Sequence, residues 1–576
     1  MRFTAAQPSC LEAVRTRLTR SLMVCLALLC AACPSVRADW IPNGVKVVSW
    51  DGISPSLLGD GLGGALLAWD NQGEIRWLHL DALGDVPPGG GPPGGTVLYA
   101  QPWTQRSPIL VPDDAGGTYV VWADERWAQC PAHCTGTPLE IYLVRLLANG
   151  TVAPGWPAGG INVGAPPLNP SAPRVCADGQ GGVIVAWSEP APTDAGDIYA
   201  RRFDASGVSV WGTTPMPVCV VSGNQREPRV APDGGGGVIV VWQDSRGLFG
   251  GTVLYAGRLN GAGQPVWNAT GIPLGTTSGL VAQPAQLVAD ASGGVFLSWS
   301  ETGGDVSLAH LISAGDMDWS VPLGPAGSIP DALIASDGQG GLLVTWSDDG
   351  GGQGGRDLFL RRLQADGSAP PGWIGPELLC DAPGAQSDPR IAHDESGGAY
   401  VLWGDLRSGS TEIFATHIGN SGAAAPGWPV NGQLVCSAPG WRGVKALARD
   451  GTGGAIALWE DQRDIPTEVL YAHRMVPGGL LDAPRPPSSA TAFAIERVAP
   501  NPSSGPLSVR VSLPDDAAAS LELIDVTGRV LVRRAVFGHG SQTVSLASGS
   551  GVRPGMYVVR LSRPGANRSS RVAIVR

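Results

Sequence analysis

One pattern, Asp-x-x-Gly-Gly-x-x-x-x-Trp, recurs eight times along the chain and constrains its fold more than any other feature. Successive tryptophans are separated by 53, 65, 55, 57, 47, 57 and 56 residues. A period of this length suits four short strands with their turns. The eight tryptophans are Trp69, Trp122, Trp187, Trp242, Trp299, Trp346, Trp403 and Trp459.

Within one unit the residue pattern predicts strands and no helix. Pro389–His393 is the first strand, Asp394–Gly398 is a turn in which glycines supply positive φ, and Ala399–Trp403 is a nearly all-apolar second strand. Glu412–His417 and Val430–Cys436 are the third and fourth strands. A single such sheet cannot bury both faces, so the units are predicted to pack radially as an eight-bladed β-propeller, with seven blades as the alternative because the first unit is degenerate.

The two ends of the repeat region suggest how the ring closes. The last unit lacks the Trp-led fourth strand, and residues 40–47 (Trp-Ile-Pro-Asn-Gly-Val-Lys-Val) resemble residues 428–435 (Trp-Pro-Val-Asn-Gly-Gln-Leu-Val). We therefore expect the N-terminal strand to complete the eighth blade, which would hide both free sheet edges.

The segments outside the repeats predict an exported protein. Residues 1–38 have the basic start, short apolar run and small-residue cleavage pattern of a signal peptide, with a lipoprotein attachment at Cys33 as the alternative. No later apolar stretch is long enough to cross a bilayer. The predicted organisation is a signal peptide at 1–38, a propeller at 39–481, a Pro-rich linker at 482–492 and a β-sandwich at 493–576.

The C-terminal sandwich carries four motifs in order. These are Pro500-Asn501-Pro502, an Asp525-Val-Thr-Gly528-Arg529 hairpin, a Gly555-Met-Tyr557 strand and a closing Arg571–Arg576 strand. Together they resemble the C-terminal sorting domain of type IX secretion cargo, which is similar to the immunoglobulin-like module of flagellar hook-capping proteins. The resemblance implies recognition by an outer-membrane secretion machinery and a secreted or cell-surface location.

Composition narrows the classes of partner. Charged residues make up 15% of the chain and the net charge is −11, which disfavours nucleic acid. Six cysteines follow the signal peptide. A Cys130–Cys134 disulfide is predicted, with zinc binding through His133 as the weaker alternative. Cys219, Cys380 and Cys436 occupy equivalent positions in their repeats and are predicted to be buried free thiols. We expect a monomer.

The repeated polar and aromatic residues are the candidates for a catalytic, metal-binding or sugar-binding site. Four repeats extend the tryptophan to Trp-x-Asp-x-Arg, and we interpret each Asp as a turn cap paired with its Arg: Asp124/Arg126, Asp244/Arg246, Asp405/Arg407 and Asp461/Arg463. The Asp-x-x-Gly-Gly turns are expected not to chelate calcium. The repeated tryptophans are expected in the core, with sugar-stacking platforms as the alternative. The seven histidines share no metal-ligand spacing, and most of them are expected at surfaces or strand edges: His79, His133, His310, His393, His417, His473 and His539.

These observations predict no catalytic, cofactor-binding or metal site. The favoured function is a non-enzymatic scaffold that presents propeller loops to a protein or glycan ligand. The alternative is a polysaccharide-acting hydrolase or lyase, which would require two carboxylates that converge at one channel mouth.

Overall fold

The structure is a computed structural model. It describes residues 40–50, 54–87, 90–92, 94–101, 103–126, 139–164, 171–189, 196–246, 252–274, 281–301, 306–323, 332–348, 355–373, 375–463, 468–480, 493–499, 507–513, 518–526, 528–537, 540–547, 552–563 and 566–575. The chain forms two compact units, residues 1–482 and 483–576.

The first unit is a β-propeller whose described strands form eight antiparallel sheets, which we number as blades 1 to 8 in chain order. Blade 1 consists of Ser56–Gly59, Ala65–Asn71, Glu74–Leu80 and Thr96–Val97, and blade 2 consists of Gln105–Pro112, Thr118–Asp124, Glu140–Leu146 and Ile161–Asn162. Blade 3 consists of Ser171–Ala177, Val183–Glu189, Asp197–Phe203 and Met216–Cys219, and blade 4 consists of Gln225–Pro232, Val238–Asp244, Val253–Leu259 and Ile272–Leu274. Blade 5 consists of Val281–Ala289, Val295–Glu301, Val306–Leu311 and Met317–Pro322. Blade 6 consists of Leu333–Ser336, Leu342–Asp348, Asp357–Leu363 and Glu377–Cys380. Blade 7 consists of Gln386–His393, Ala399–Asp405, Glu412–Ile418 and Gln433–Cys436. Blade 8 consists of Arg442–Arg449, Ala455–Asp461, Glu468–Val476 and Val45–Trp50, and Gly479–Leu480 also pairs with its third strand.

The ring closes through the first strand of the chain, as predicted. Val45–Trp50 pairs antiparallel with Glu468–Val476, and Val48 lies opposite Leu470. The first strand of each blade contacts the first strand of the next, and Arg442–Arg449 contacts Ser56–Gly59 to complete the circuit. These first strands form the wall of the central channel.

The repeated tryptophans belong to the core, and the sugar-platform alternative is wrong. Six of them are fully buried, and Trp299 and Trp346 are only 8% and 3% exposed. In blade 2 the ring of Trp122 stacks on that of Tyr142 in the third strand, with centroids 5.9 Å apart. A ring covered in this way presents no face to a sugar.

The second unit consists of two antiparallel sheets, as expected of a sandwich. One contains Ala494–Ala499, Leu507–Leu513 and Gly540–Ala547, and the other contains Val530–Val536, Ala519–Asp525, Gly555–Arg563 and Ala566–Ile574. Apolar side chains from both sheets, including Val509 and Val559, share one core. Sequence reasoning missed the strand Ala494–Ala499.

Several sequence predictions concern residues outside the described ranges. They are the signal peptide with Cys33, the Cys130–Cys134 disulfide with His133, the linker at 482–492, the Pro500–Pro502 turn and His539.

Ring closure predicts a measurable role for Trp40, which is 1% exposed although it begins the described chain. Replacing Trp40 with alanine should lower the free energy of unfolding by about 3–5 kcal/mol, because a large buried side chain is lost. Denaturant unfolding checks this value. Trp441→Ala, at a side chain that is 49% exposed, is the matched control and should change stability by less than about 0.5 kcal/mol. Equal effects of the two substitutions would show that the N-terminal segment does not stabilise the ring.

Candidate functional site

The aspartate of each Gly-Gly turn caps the turn that joins the first two strands of its blade. In blade 7, Oδ1 of Asp394 accepts the N–H groups of Ser396 and Gly398, each at 2.8 Å. Gly397 has φ +94°, which glycine adopts without a steric penalty. The same two bonds form in all eight blades, at Asp60, Asp113, Asp178, Asp233, Asp290, Asp337, Asp394 and Asp450.

The second oxygen of each of these aspartates pairs with a basic side chain on the third strand of the same blade. The pairs are Asp60–His79, Asp113–Arg145, Asp178–Arg202, Asp233–Arg258, Asp290–His310, Asp337–Arg362, Asp394–His417 and Asp450–Arg474. Their N···O distances are 2.7 to 3.0 Å. Sequence reasoning missed these pairs because insertions vary the spacing between the two residues and because either Arg or His fills the second position.

In blades 2, 3, 4 and 8, the basic residue and a tryptophan just before the fourth strand both bond the next blade. In blade 3, Arg202 Nη1 and Trp211 Nε1 both donate to the carbonyl oxygen of Gly261 in blade 4, at 2.8 and 3.0 Å. At the closure, Arg474 Nη1 and Trp40 Nε1 of blade 8 both donate to the carbonyl of Ala82 in blade 1. We call this unit of turn aspartate, third-strand base, tryptophan before the fourth strand and next-blade carbonyl the inter-blade tie.

The inter-blade tie gives the turn aspartates a structural role. Both oxygens of each carboxylate are engaged, one by backbone N–H groups and the other by an arginine or histidine side chain. A calcium loop needs several free oxygens from one segment, whereas each turn contributes one carboxylate that is already bonded. Among the described residues, no group of three or more His, Cys, Asp or Glu side chains is arranged to hold a metal ion.

Removing one turn aspartate should therefore destabilise the propeller strongly. Asp233→Ala removes two turn bonds and leaves the guanidinium of Arg258 without its carboxylate, so we expect a loss of about 3–5 kcal/mol in the free energy of unfolding. Asp366→Ala is the matched control, because Asp366 caps an exposed turn and its side chain bonds only Ser368. A loss at Asp233 no larger than at Asp366 would contradict the role of the tie.

The Trp-x-Asp-x-Arg residues form a second structural cluster at the opposite end of the second strand, as the turn-cap interpretation predicts. In blade 7, Asp405 accepts hydrogen bonds from Trp403 Nε1 and from the backbone and side chain of Arg407, at 2.7 to 2.9 Å. The guanidinium of Arg407 lies 3.8 Å from the ring centroid of Phe414. Burial opposes ionisation of Asp405, but the bonds from Arg407 and Trp403 hold its pKa below the usual value.

The thiols predicted to be free and buried are so, and they belong to these clusters. Cys219, Cys380 and Cys436 each accept a hydrogen bond from the arginine of the following blade, at 3.0 to 3.1 Å. Burial raises the pKa of Cys219 and Cys380 to about 11. These groups are therefore unreactive thiols in the folded chain.

The expectation that the histidines lie at surfaces or strand edges is wrong for three of them. His310, His417 and His473 are at most 5% exposed. His310 lies between Asp290 and Asp318, at 2.9 and 3.3 Å. His310 and His417 take the place of arginine as partners of the turn aspartates, a role that needs a base on the third strand and not a solvent-exposed position.

Blade 3 lacks the arginine of the Trp-x-Asp-x-Arg cluster and carries two acids instead. Glu189 and Asp197 lie directly opposite each other in the strand ladder, and they are 5% and 9% exposed. Burial and the negative charge of Asp197 raise the pKa of Glu189 to about 7. Sequence reasoning missed this pair, although the loss of Arg after Trp187-Ser-Glu was a readable signal.

The raised pKa of Glu189 predicts a pH dependence of stability. Because the folded chain favours protonated Glu189, the pair destabilises the fold little below pH 4.5, the pKa of this group in the unfolded chain. The destabilisation grows as the pH rises from there through about 7. Glu189→Gln should therefore stabilise the protein at pH 8 by on the order of 2 kcal/mol relative to its effect at pH 5. Denaturant unfolding at both pH values measures the difference. Glu301→Gln in blade 5, where the apolar Val306 begins the third strand, is the matched control for the substitution itself. An equal stability change in Glu189→Gln at pH 5 and pH 8 would contradict the prediction.

A cleft of about 880 Å³ lies between blades 6 and 7, beside the tie of blade 6. Its lining is mainly polar and consists of Asp337, Gln339, Gly340, Gly341, Arg362, Gln364, Ala365, Pro370, Pro371, Asn420 and Ser421. The recess offers amide, hydroxyl and charged groups.

The hairpin that the C-terminal resemblance singled out has a defined local role. Asp525 Oδ1 accepts the N–H of Arg529 at 3.0 Å, and Gly528 adopts φ +87° between them. Glu522, on the same strand as Asp525, pairs with Arg533 and Arg560, each at 2.7 Å. The Asp-x-x-Gly-Arg motif thus shapes a tight turn between two strands.

Comparison with known proteins identifies the C-terminal unit. Residues 497–575 match the family described as secretion system C-terminal sorting domain. No curated protein sequence matches the chain. No helix in the described ranges combines the length and apolar character needed to cross a membrane.

Solved structures similar to the chain include propellers of different kinds. The BP39L lectin from Burkholderia pseudomallei is 12% identical, with 66% of this chain and 98% of the lectin covered and a TM-score of 0.43. The β-propeller domain of the Trilobed protease from Pyrococcus furiosus is 11% identical, with 67% and 99% covered and a TM-score of 0.36. The α-L-arabinanase from Penicillium chrysogenum is 14% identical, with 54% and 93% covered and a TM-score of 0.32. These similarities are too remote to transfer a ligand or an activity.

The sorting domain and the ring of four-stranded sheets together define the chain. It is a secreted or cell-surface β-propeller protein that carries a C-terminal type IX secretion sorting domain.

Proposed function

We propose that this protein is an exported, non-enzymatic scaffold whose propeller binds a glycan. One observation carries the proposal: the carboxylates that recur around the ring are bonded within the fold, in the inter-blade ties and in the Trp-x-Asp-x-Arg clusters. Acids held in this way have fixed partners, which suits structure and not proton transfer. The polar cleft between blades 6 and 7 supports a glycan over a protein ligand.

The second candidate function is hydrolysis or cleavage of a polysaccharide. It is favoured by the Glu189–Asp197 pair, because a carboxyl group with a pKa of about 7 beside a second carboxyl group has the properties of a general acid. Its burial within blade 3 argues against access by a polymer, since both side chains are less than a tenth exposed.

A combined binding and turnover experiment tests the proposal. The mature chain is applied to an array of plant and bacterial polysaccharides, and each retained polysaccharide is then incubated with the protein and assayed for new reducing ends and for unsaturated products. We expect retention without product. Product that disappears in Glu189→Gln would establish the second candidate, and an array with no retained polysaccharide would contradict glycan binding.

The sorting domain provides a separate prediction for export. Removing residues 493–576 should leave the propeller in the periplasm, because the type IX machinery would no longer recognise it. Cell fractionation and immunoblotting of the full and shortened chains measure this distribution. Equal amounts of the two chains outside the outer membrane would contradict a role of this domain in sorting.

A further inference from the structure

One position on the channel wall repeats in all eight blades. It lies on the first strand, opposite the residue that precedes the blade tryptophan. Its occupants are Ser56, Ile109, Arg174, Arg229, Gln286, Leu333, Arg390 and Ala446.

Three polar occupants of this position bond the backbone of the following blade. Ser56 Oγ accepts the N–H of Leu110, Gln286 Nε2 donates to the carbonyl of Ala332, and Arg390 Nε donates to the carbonyl of Lys445, at 2.8 to 3.1 Å. These side chains satisfy backbone groups that the first strands leave unpaired along the channel. Their role is structural.

Arg174 and Arg229, on neighbouring blades, do not make this bond. Arg174 Nη1 donates to the carbonyl of Pro173 at 2.9 Å, and Arg229 Nη1 donates to that of Pro228 at 3.0 Å, each the residue just before it. Within the described ranges their carboxylate neighbour is Glu227, whose Oε2 lies 3.9 Å from Arg174 Nη2 and 3.4 Å from Arg229 Nη1. Two guanidinium groups therefore share one carboxylate.

This arrangement leaves positive charge on the channel wall that the fold does not neutralise. Burial lowers the pKa of both arginines, and the charge of Arg174 lowers that of Arg229 further. The side chains of Arg174 and Arg229 are 34% and 18% exposed, so a ligand in the channel can reach them. A bound anion would relieve the repulsion between the two cations.

We propose that Arg174 and Arg229 bind the anionic group, carboxylate or sulfate, of an acidic sugar. Guanidinium groups present paired N–H donors that match the oxygens of such groups. The inference rests on the proposed glycan-binding function and names the class of glycan. A single acid or a short acidic segment suits the site better than a polyanion, because the chain as a whole carries a net charge of −11.

The surroundings favour a sugar over an acidic peptide. The large apolar side chains that are exposed in the described chain lie outside Ser171–Ala177 and Gln225–Pro232. A peptide ligand is usually anchored by an apolar contact, which these two strands do not offer.

Calorimetry with the full mature chain tests the proposal at low ionic strength. The probes are trigalacturonic acid, its neutral methyl ester, galactose 6-sulfate and a triglutamate peptide. We expect binding of the uronate or the sulfate, and the comparison of these two identifies the anionic group. Binding of the ester as tight as that of the acid, or equal binding of the peptide, would overturn the assignment to an acidic sugar.

Variants locate the site. Arg174→Gln and Arg229→Gln should each weaken binding by about tenfold, the usual effect of losing a charged hydrogen bond. Glu227→Gln should strengthen binding by about two- to fivefold, because it removes the carboxylate that competes with the ligand. If these residues had a purely structural role, Glu227→Gln would not strengthen binding while the two arginine variants weaken it.

Arg449→Gln is the matched control for loss of charge. Arg449 is paired one-to-one with Glu395 at 2.9 Å, and its removal should leave affinity unchanged. Thermal unfolding confirms that each variant is folded. Unchanged affinity in Arg174→Gln and Arg229→Gln would overturn the proposed site. If neutral polysaccharides are retained on the array while every acidic probe fails to bind, this inference falls and the proposed function stands.

Discussion

The inter-blade tie is the interaction on which the rest of this propeller depends. A four-stranded sheet has two apolar faces and cannot be stable alone, so each blade must be held against its neighbours at a fixed distance and angle. The turn aspartate orients a base on the third strand, and in blades 2, 3, 4 and 8 this base and a tryptophan reach one carbonyl of the next blade. Because blade 8 takes its tryptophan from residue 40, the same bonds that join neighbours also join the two ends of the repeat region.

The polar side chains that recur around the ring serve the structure of the propeller. Most recurring carboxylates are neutralised within a blade, and what remains available for a ligand is found where the repeat is broken. Blade 3 has lost an arginine and holds two acids, whereas the channel wall of blades 3 and 4 has gained two arginines around one acid. The sites that we propose for a ligand therefore lie at departures from the repeat.

Much of the fold could be predicted from the sequence because the repeat and its apolar strands are local signals. The strand of Trp403 followed from its apolar run and turn residues, and the sandwich strands other than Ala494–Ala499 followed from alternation. The pairing of the N-terminal segment with the last blade followed from the likeness of residues 40–47 to residues 428–435. The bases that pair with the turn aspartates, such as Arg202 and His417, could not be identified, since their partners are distant in sequence by varying amounts. The Glu189–Asp197 and Arg174–Arg229 clusters depend on strand register and on contacts between blades, which residue order alone does not determine.

Amide hydrogen exchange of the mature chain tests ring closure most directly. If residues 45–50 complete blade 8, those of their amides that are bonded to Glu468–Val476 should exchange as slowly as the bonded amides in the fourth strands of the other blades, and both segments should open together. Exchange of these bonded amides within seconds, while the fourth strands of the other blades stay protected, would show that the ring is not closed by the N-terminal strand.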